Sequence, residues 1–513
     1  MVKQADRPPP ASHRPFSLLP PAESPQIVRS RTYAGADALL VMMPESAGRE
    51  SLARLPDSDR WKDLHGRAQP RAGTVRTSTL ANRRQTLAVL GFLGEETGAF
   101  ERLALAGRML RETAARSPET LGLAAMGAAA TADTGLEALL SASLAQAFAL
   151  PSFKTTESGQ LPLRRIALPA DSDLDLRYVQ ACAGGTNLAR WLTALPPNFL
   201  DSRGYHSVIA RLARRHGLRM RWLGEAALRR AGANAFLAVA SANERPGAGI
   251  AHLTYRPAGR ARGAPDLALI GKGIVFDTGG VNLKPHRAML EMHTDMAGSA
   301  VALATLIALA QLRAPIAADA WLAITENQIG PRGYRPQEVV RAANGLTIQV
   351  VHTDAEGRMA LADTLALAAR TRPRLMIDFA TLTGACVYSL TERMSGVFAN
   401  REALANALIA AGRSSGERVW SFPFDADFDA DLDSKVADIL QCAVEGKGDH
   451  ILAARFLNRF VPREIPWAHV DLSAATRTGG LGHINTDVTG FGVRCTLELT
   501  VKHKILDSLE RLA

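Results

Sequence analysis

Strand-length apolar runs alternate with helix-length segments through the middle of the chain, and that alternation restricts it to one broad class of fold. The pattern predicts a helix over Tyr205–His216, a strand over Leu218–Leu223 and a helix over Glu225–Ala231. Strands are expected at Ala235–Ala240, Ile250–Tyr255 and Leu267–Ile270, then a helix at Ser299–Leu312 and strands at Ala318–Ile324 and Thr347–Val351. A helix at Met359–Ala369 and a strand at Leu375–Phe379 complete the series. Strands interleaved with helices of this length argue for an α/β domain with a buried, mostly parallel or mixed sheet flanked by helices. In such sheets chemistry collects in loops at the carboxyl ends of the strands. Upstream, strand-like Ala38–Met43 and Thr86–Phe92 and helix-like Glu101–Ala115 and Leu136–Phe148 give a smaller α/β domain. The polar, turn-rich stretch Pro151–Asp175 reads as the connector. The expected division is a disordered, proline-rich lead-in at 1–25, an N-terminal α/β domain at 26–165 and a larger domain at 166–513, with no internal repeat.

With 513 residues, 47% of them hydrophobic, the chain can bury one or two real cores, and wholesale disorder is excluded. Its cysteines, Cys182, Cys386, Cys442 and Cys495, are far apart and form no CxxC pair, which supports neither a zinc finger nor a disulfide framework. A reducing compartment is the default. The longest uncharged apolar run, Met296–Leu312, is shorter than the roughly 18 to 20 residues of a bilayer span. Ser299 and Gln311 interrupt it, so no membrane association is expected. The N-terminus lacks the apolar core of a secretory signal.

The net charge of +10 has a location: between Arg203 and Arg262 twelve arginines face only Glu225 and Glu244. Clustered arginine can neutralise nucleic-acid phosphates. Here Arg211, Arg214 and Arg215 lie on a helix whose Ile209 and Leu212 face inward, and Arg219 and Arg221 alternate with Met220 and Trp222. Solvated faces explain the excess, and nucleic acid remains only a second role. Lysine is scarce: of 60 basic residues nine are Lys, and between Lys154 and Lys435 only Lys272 and Lys284 occur.

Two glycine-rich loops carry the candidate chemistry. The first, GKGIVFDTGGVNLKP from Gly271 to Pro285, follows the strand at Leu267 and is trailed by MHTDMAGSA from Met292 to Ala300. The second, HTDAEGRMALAD from His352 to Asp363, follows the strand at Thr347. Together they concentrate Asp277, Asp295, Asp354 and Glu356 with Lys272, Lys284 and Arg358. Four converging carboxylates cannot all stay ionised at neutral pH unless a cation neutralises them. A pair of divalent metal ions about 3.5 to 4 Å apart does so, and can activate a water and polarise a carbonyl. Asp354 and Glu356 are two apart, so an extended loop would point both the same way. Taken singly, Lys272 with Asp277 and Arg358 with Asp363 read as plain ion pairs, and GKG lacks the full phosphate-loop pattern.

From Asn187 to Leu497 the sequence resembles the leucine aminopeptidase (cytosol aminopeptidase) family of dinuclear metal exopeptidases. The likeness rests on Lys272, Asp277, Lys284 and Asp295 at the family's spacing, and on TDAEGR up to Arg358. It extends to ENQIGPRGYRPQEVV (Glu326–Val340), DFATLTGAC (Asp378–Cys386), PWAHVDL (Pro466–Leu472) and TGFGVR (Thr489–Arg494). The seven motif residues alone would match by chance with a probability on the order of 10⁻⁹.

The resemblance implies that Asp277 and Glu356 bridge two metal ions, that Lys272 and Asp295 complete the tightly held one, and that Asp354 completes the more exchangeable one. It implies Zn or Mn, with Mg or Co as alternatives. Lys284 would polarise the scissile carbonyl, and Arg358 would hold a bicarbonate acting as general base toward a metal-bridging water. Met292, Thr381 and Gly384 match positions lining the first side-chain pocket. Short peptides as substrate, a homo-hexamer with interior active sites and a cytoplasmic location follow from the same likeness. It also explains the two isolated lysines: a guanidinium cannot deprotonate to ligate a metal, and its planar fork is not a compact ammonium. His293, Ala297 and His352 depart from the family pattern, the histidines reading as hydrogen-bonding neighbours of the site or, alternatively, as extra metal-site or substrate contacts. His469 and Asp471, on an apolar strand, read as packing residues. The rivals are a non-catalytic or DNA-binding member of the same fold and another dinuclear metallohydrolase, such as an esterase or phosphatase.

Overall fold

The apolar run at Leu267 continues well past Ile270. In the computed structural model, which describes residues 17–21, 24–33, 35–155, 162–260 and 263–512, it is an eleven-residue strand, Leu267–Asp277. This strand lies inside an eight-stranded sheet. From one edge to the other the order is Val419–Ser421, Ser395–Ala399, Trp467–Asp471, Leu375–Ala380, Leu267–Asp277, Ala318–Asn327, Gly249–Tyr255 and Arg219–Gly224. The middle four strands run parallel, and antiparallel pairings flank them. Alternation along the central strand explains its burial on both faces. Leu267, Leu269 and Val275 meet the core that contains helix Ala297–Leu312, while Ala268, Ile270 and Ile274 meet the one that contains helix Glu356–Ala369.

Helix Ala297–Leu312 is apolar all round because it is covered all round, with every residue from Ala297 to Leu309 buried. The stretch His286–Leu312 is long and apolar enough to cross a bilayer by composition, yet most of it lies inside this core. Close approach to the sheet depends on Gly298, where a Cβ would collide with the Phe379 carbonyl.

The expected strand at Ala235–Ala240 is instead the helix Asn234–Ala240. Its run of alanine and leucine favours helix, and Phe236 and Val239, three apart, share the face buried in the core of helix Glu356–Ala369. The Asp363 carboxylate of that helix accepts from the Phe236 N–H at 2.8 Å, satisfying a donor of the first turn. The strand expected over Thr347–Val351 is shorter, Thr347–Gln349, and belongs to a separate three-stranded sheet with Val339–Arg341 and Ile439–Leu440.

The N-terminal part builds a six-stranded sheet in the order Gln26–Ser30, Arg165–Pro169, Thr120–Ala125, Ala38–Pro44, Leu87–Leu93 and Val75–Thr79. Only the last pairing is antiparallel. Part of the expected connector is therefore a strand: Arg165–Pro169 lies between two parallel neighbours and carries this sheet four residues beyond position 165. Its buried run Ile166–Leu168 is too short to stand out by periodicity. Most of the lead-in and residues 156–161 of the connector lie outside the described residues. Within the lead-in, Leu18 and Leu19 pack on the larger core, and Trp191 Nε1 donates to the Leu18 carbonyl at 2.9 Å.

The arginine-rich segment forms solvated faces. Helix Ser202–Arg215 buries Ile209 and Leu212 and exposes Arg211, Arg214 and Arg215. Arg256 and Arg260 are paired with Asp319 and Asp266 at 2.6 and 2.5 Å. All four cysteines are free and buried.

Candidate active site

The carboxyl ends of the parallel strands converge on one cavity of about 330 Å³. Lys272 and Asp277 therefore sit on the strand itself rather than in a loop after it. Lys272 is buried, with Nζ 2.8 Å from Asp295 Oδ1 and 3.0 Å from Glu356 Oε1, and it donates to the Thr381 carbonyl at 3.1 Å. It can lie there because residue 357 is glycine: a Cβ on Gly357 would stand 2.5 Å from Lys272 Cε. Lys284 Nζ bridges the other two acids, 2.8 Å from Asp277 Oδ2 and in close contact with Asp354 Oδ1. Neither plain ion pair, Lys272 with Asp277 or Arg358 with Asp363, forms among the salt bridges of the described residues. Lys272 turns to Asp295 and Glu356, while Asp363 caps the neighbouring helix.

Asp354 and Glu356 do come together, though not through an extended loop. Asp354 lies in a turn, and Glu356, Gly357 and Arg358 open helix Glu356–Ala369. The tight turn brings carboxylate oxygens of Asp277, Asp354 and Glu356 within 4.8 Å of one another. His352 supports that turn, its Nδ1 accepting from the Asp354 N–H at 3.2 Å.

The cluster sets only two ammonium groups against four carboxylates. Burial, with Glu356 and Asp277 beside it, pushes the Asp295 carboxyl up to about 8 against the pull of Lys272. Asp277 is raised for the same reason, by burial and by Asp354, although Lys284 and Lys272 oppose it. Burial pulls the Lys272 amine down, but Asp295, Glu356 and Asp277 outweigh it and hold the ammonium above its ordinary range. A ligating Lys272 therefore requires an incoming ion to displace its proton. Asp295 Oδ2 and Glu356 Oε2 are buried with no hydrogen-bond partner. Orphaned carboxylate oxygens beside a buried amine are a donor set that fits divalent ions such as Zn²⁺ or Mn²⁺.

All ten residues expected at the site, Lys272, Asp277, Lys284, Met292, Asp295, Asp354, Glu356, Arg358, Thr381 and Gly384, line this cavity. Several supporting groups escaped sequence reasoning. Asn327, at the end of the neighbouring strand, donates to Asp277 Oδ1 at 2.8 Å and to the Thr353 carbonyl at 3.1 Å. Gln441 Oε1 accepts from the Val351 and His352 N–H groups. Asp471 does more than pack. Its carboxylate accepts from the Leu382 N–H at 3.1 Å and from Thr383 Oγ1 at 2.6 Å, fixing the loop that carries Thr381 and Gly384. A carboxylate at the carboxyl end of an apolar strand was the available signal. His469, held 2.6 Å from Asp378 Oδ1, is buried away from the cavity. Arg358 finds its partner in Asp449, 91 residues on.

The model of the cytosol aminopeptidase family, catalytic domain, matches residues 187–497. The chain belongs to this family. A probable cytosol aminopeptidase of Synechococcus sp. is 39% identical over 346 residues, which cover 66% of this chain and 70% of that protein. One from Methylorubrum extorquens is 35% identical over 464 residues, 89% of this chain and 91% of its own length. Among solved structures, the bottromycin maturation enzyme BotP in complex with Mn superposes with a TM-score of 0.77 at 29% identity, over 91% of this chain and 99% of that one. A tomato leucine aminopeptidase variant gives 0.82 at 23% identity, over 94% of this chain and 98% of its own, and supports the fold alone. Membership of the family makes the chain a peptidase of the aminopeptidase class. Its expected α/β architecture agrees with that family, including the second, smaller α/β unit.

Proposed function

We propose that the protein is a metal-dependent, leucyl-type aminopeptidase that releases N-terminal residues from short peptides. The observation that carries this reading is the orphaned pair Asp295 Oδ2 and Glu356 Oε2 in a cavity shared with Asp277, Asp354 and a buried Lys272. Two divalent ions bound there, Zn or Mn in first place and Mg or Co as alternatives, would supply an activated water and a polarised carbonyl. The neighbour solved with Mn favours that metal among these. Asp277 and Glu356 would be shared between the two ions in this reading, with Lys272 and Asp295 completing the set for one and Asp354 for the other.

The remaining work belongs to the chain. Lys284 keeps its charge, because Asp277 and Glu356 outweigh the burial that pulls its amine down. A fixed ammonium at the cavity wall stabilises negative charge developing on the scissile carbonyl oxygen. Met292, Thr381 and Gly384 receive the first side chain, and Asp471 holds the loop of Thr381 and Gly384 in register. The proposal includes a homo-hexamer with inward-facing sites, to which the exposed Val281, Leu283, Leu290 and Tyr388 would contribute apolar contact. The relatives' name supports a cytoplasmic location.

Hydrolysis of a chromogenic leucyl amide with added Mn²⁺ or Zn²⁺ tests the reading. Asp354→Ala and Lys284→Ala are each expected to lower kcat by at least about 100-fold. No metal-dependent turnover, or turnover indifferent to both changes, overturns it.

A further inference from the structure

The resemblance assigns Arg358 a bicarbonate, but its guanidinium already holds an anion. Nη2 donates to both oxygens of Asp449, at 2.8 and 2.9 Å, and Nη1 donates to the Gln441 carbonyl at 3.3 Å. Arg358 is 3% exposed, so the arrangement is set by protein rather than by water. A guanidinium grips a planar oxyanion through a fork of two parallel N–H bonds, either Nη1 with Nη2 or Nε with Nη2. Both forks need Nη2. With that nitrogen committed to Asp449, only single contacts such as the unpartnered Nε–H remain. The positive charge that would attract bicarbonate is likewise neutralised at contact distance. Bicarbonate does not fit this arginine.

Asp449 is held in place for this role. It opens helix Asp449–Asn458 directly after Gly448, whose positive φ of 61° turns the chain into the helix. Its partner opens helix Glu356–Ala369, so the pair joins two helix starts at the back of the cavity wall. The Asp449 side chain is 27% exposed, so the pair is reached by solvent from the Asp449 side.

We propose that Asp449 is the resident carboxylate of Arg358, a positioning residue that replaces an exogenous bicarbonate, so that this enzyme works without that ion. The proposal rests on the aminopeptidase reading for its kinetic consequences but not for its binding consequences. Asp449 orients Arg358 and neutralises it; removing the carboxylate frees Nη2 and opens an anion site that small carboxylates can enter.

The test uses the full chain loaded with Mn²⁺ in carbonate-free buffer. Wild-type turnover of a leucyl amide is expected to be the same with and without added bicarbonate. Asp449→Ala is expected to lose about 10- to 100-fold in kcat with little change in KM, and to recover part of it with bicarbonate or formate. Asp449→Glu should retain more activity than Asp449→Ala and gain less from either ion. Independently of turnover, bicarbonate should raise the melting temperature of Asp449→Ala, but not of the wild type or of the Arg358→Ala/Asp449→Ala double variant. Bicarbonate activation of the wild type, or an Asp449→Ala variant that neither loses activity nor binds bicarbonate, overturns the proposal. If the wild type turns over no amide at all, the aminopeptidase reading fails, and the melting measurement alone decides the role of Asp449.

Discussion

Lys272 is the residue on which the site balances. Its amine is drawn down by burial and pushed up further by Asp295, Glu356 and Asp277, so its charge depends entirely on what shares the cavity with those acids. Lys272→Arg keeps the charge but not the shape, placing a planar guanidinium where the Lys272 stem already lies close against Gly357. That variant is expected to bind metal at least about 10-fold more weakly, measured as metal retained per chain after dialysis. Gly357→Ala is expected to displace Lys272 and cost about 1 to 3 kcal/mol, read from chemical denaturation.

Asp363 gives the same physics away from the cavity. Burial pushes its carboxyl up to about 7, although the Phe236 and Ala343 N–H groups pull the other way. A carboxyl whose folded pKa lies above its unfolded one adds most stability below about pH 4 and loses that contribution as pH rises through about 7. Asp363→Asn is therefore expected to be less stable at acidic pH, because its amide nitrogen cannot accept the second N–H. Its melting temperature should also fall less steeply between about pH 4 and 7. An unchanged slope would show that Asp363 is not what titrates there.

At this scale the sequence was most legible. Charged residues clustered in glycine-rich backbone are conspicuous, and all of them reached the cavity. Asp449 and Gln441 were not, because each looks like an ordinary polar residue until the fold brings it to a partner about ninety positions upstream.

Among the elements, the helices expected in the larger domain all formed, whereas one expected strand did not. Strands buried on both faces announce themselves as continuous apolar runs, whereas Asn234–Ala240 carries the same signal in seven residues and is a helix. What decides it is the partner: Phe236 and Val239 need a single face to reach the core of helix Glu356–Ala369. Phe236→Ala should accordingly cost about 3 to 5 kcal/mol of unfolding free energy, a core-residue value. A cost under about 1 kcal/mol would mean that this helix is not anchored by that ring.

Across the whole molecule, the two α/β units are joined by side chains as well as by the chain. Arg494, near the C-terminus, donates to Ser141 Oγ at 3.2 Å and to the Glu137 carboxylate, and Arg190 donates to the Ala145 carbonyl at 3.2 Å. The Arg494→Ala variant leaves Glu137 without that partner and should lower overall stability by about 1.5 to 3 kcal/mol. Calorimetry should then resolve the smaller unit as an earlier transition, while a single unshifted transition would mean the contact couples nothing. Domain division was only roughly legible, since Arg165–Pro169 is recognisable as a strand chiefly through the neighbours on either side of it.

The buried helix Ala297–Leu312 also sets an order on biogenesis. It is covered by the strand Leu375–Ala380 and by Val493–Leu497, which leave the ribosome about eighty and two hundred residues later. Until then a nascent chain displays a segment apolar enough for a bilayer, and at about 5 to 20 residues per second that interval lasts about ten seconds or more. Any chain that stops short of Val493 keeps that segment partly uncovered, which makes Val493–Leu497 a closing piece for this apolar surface.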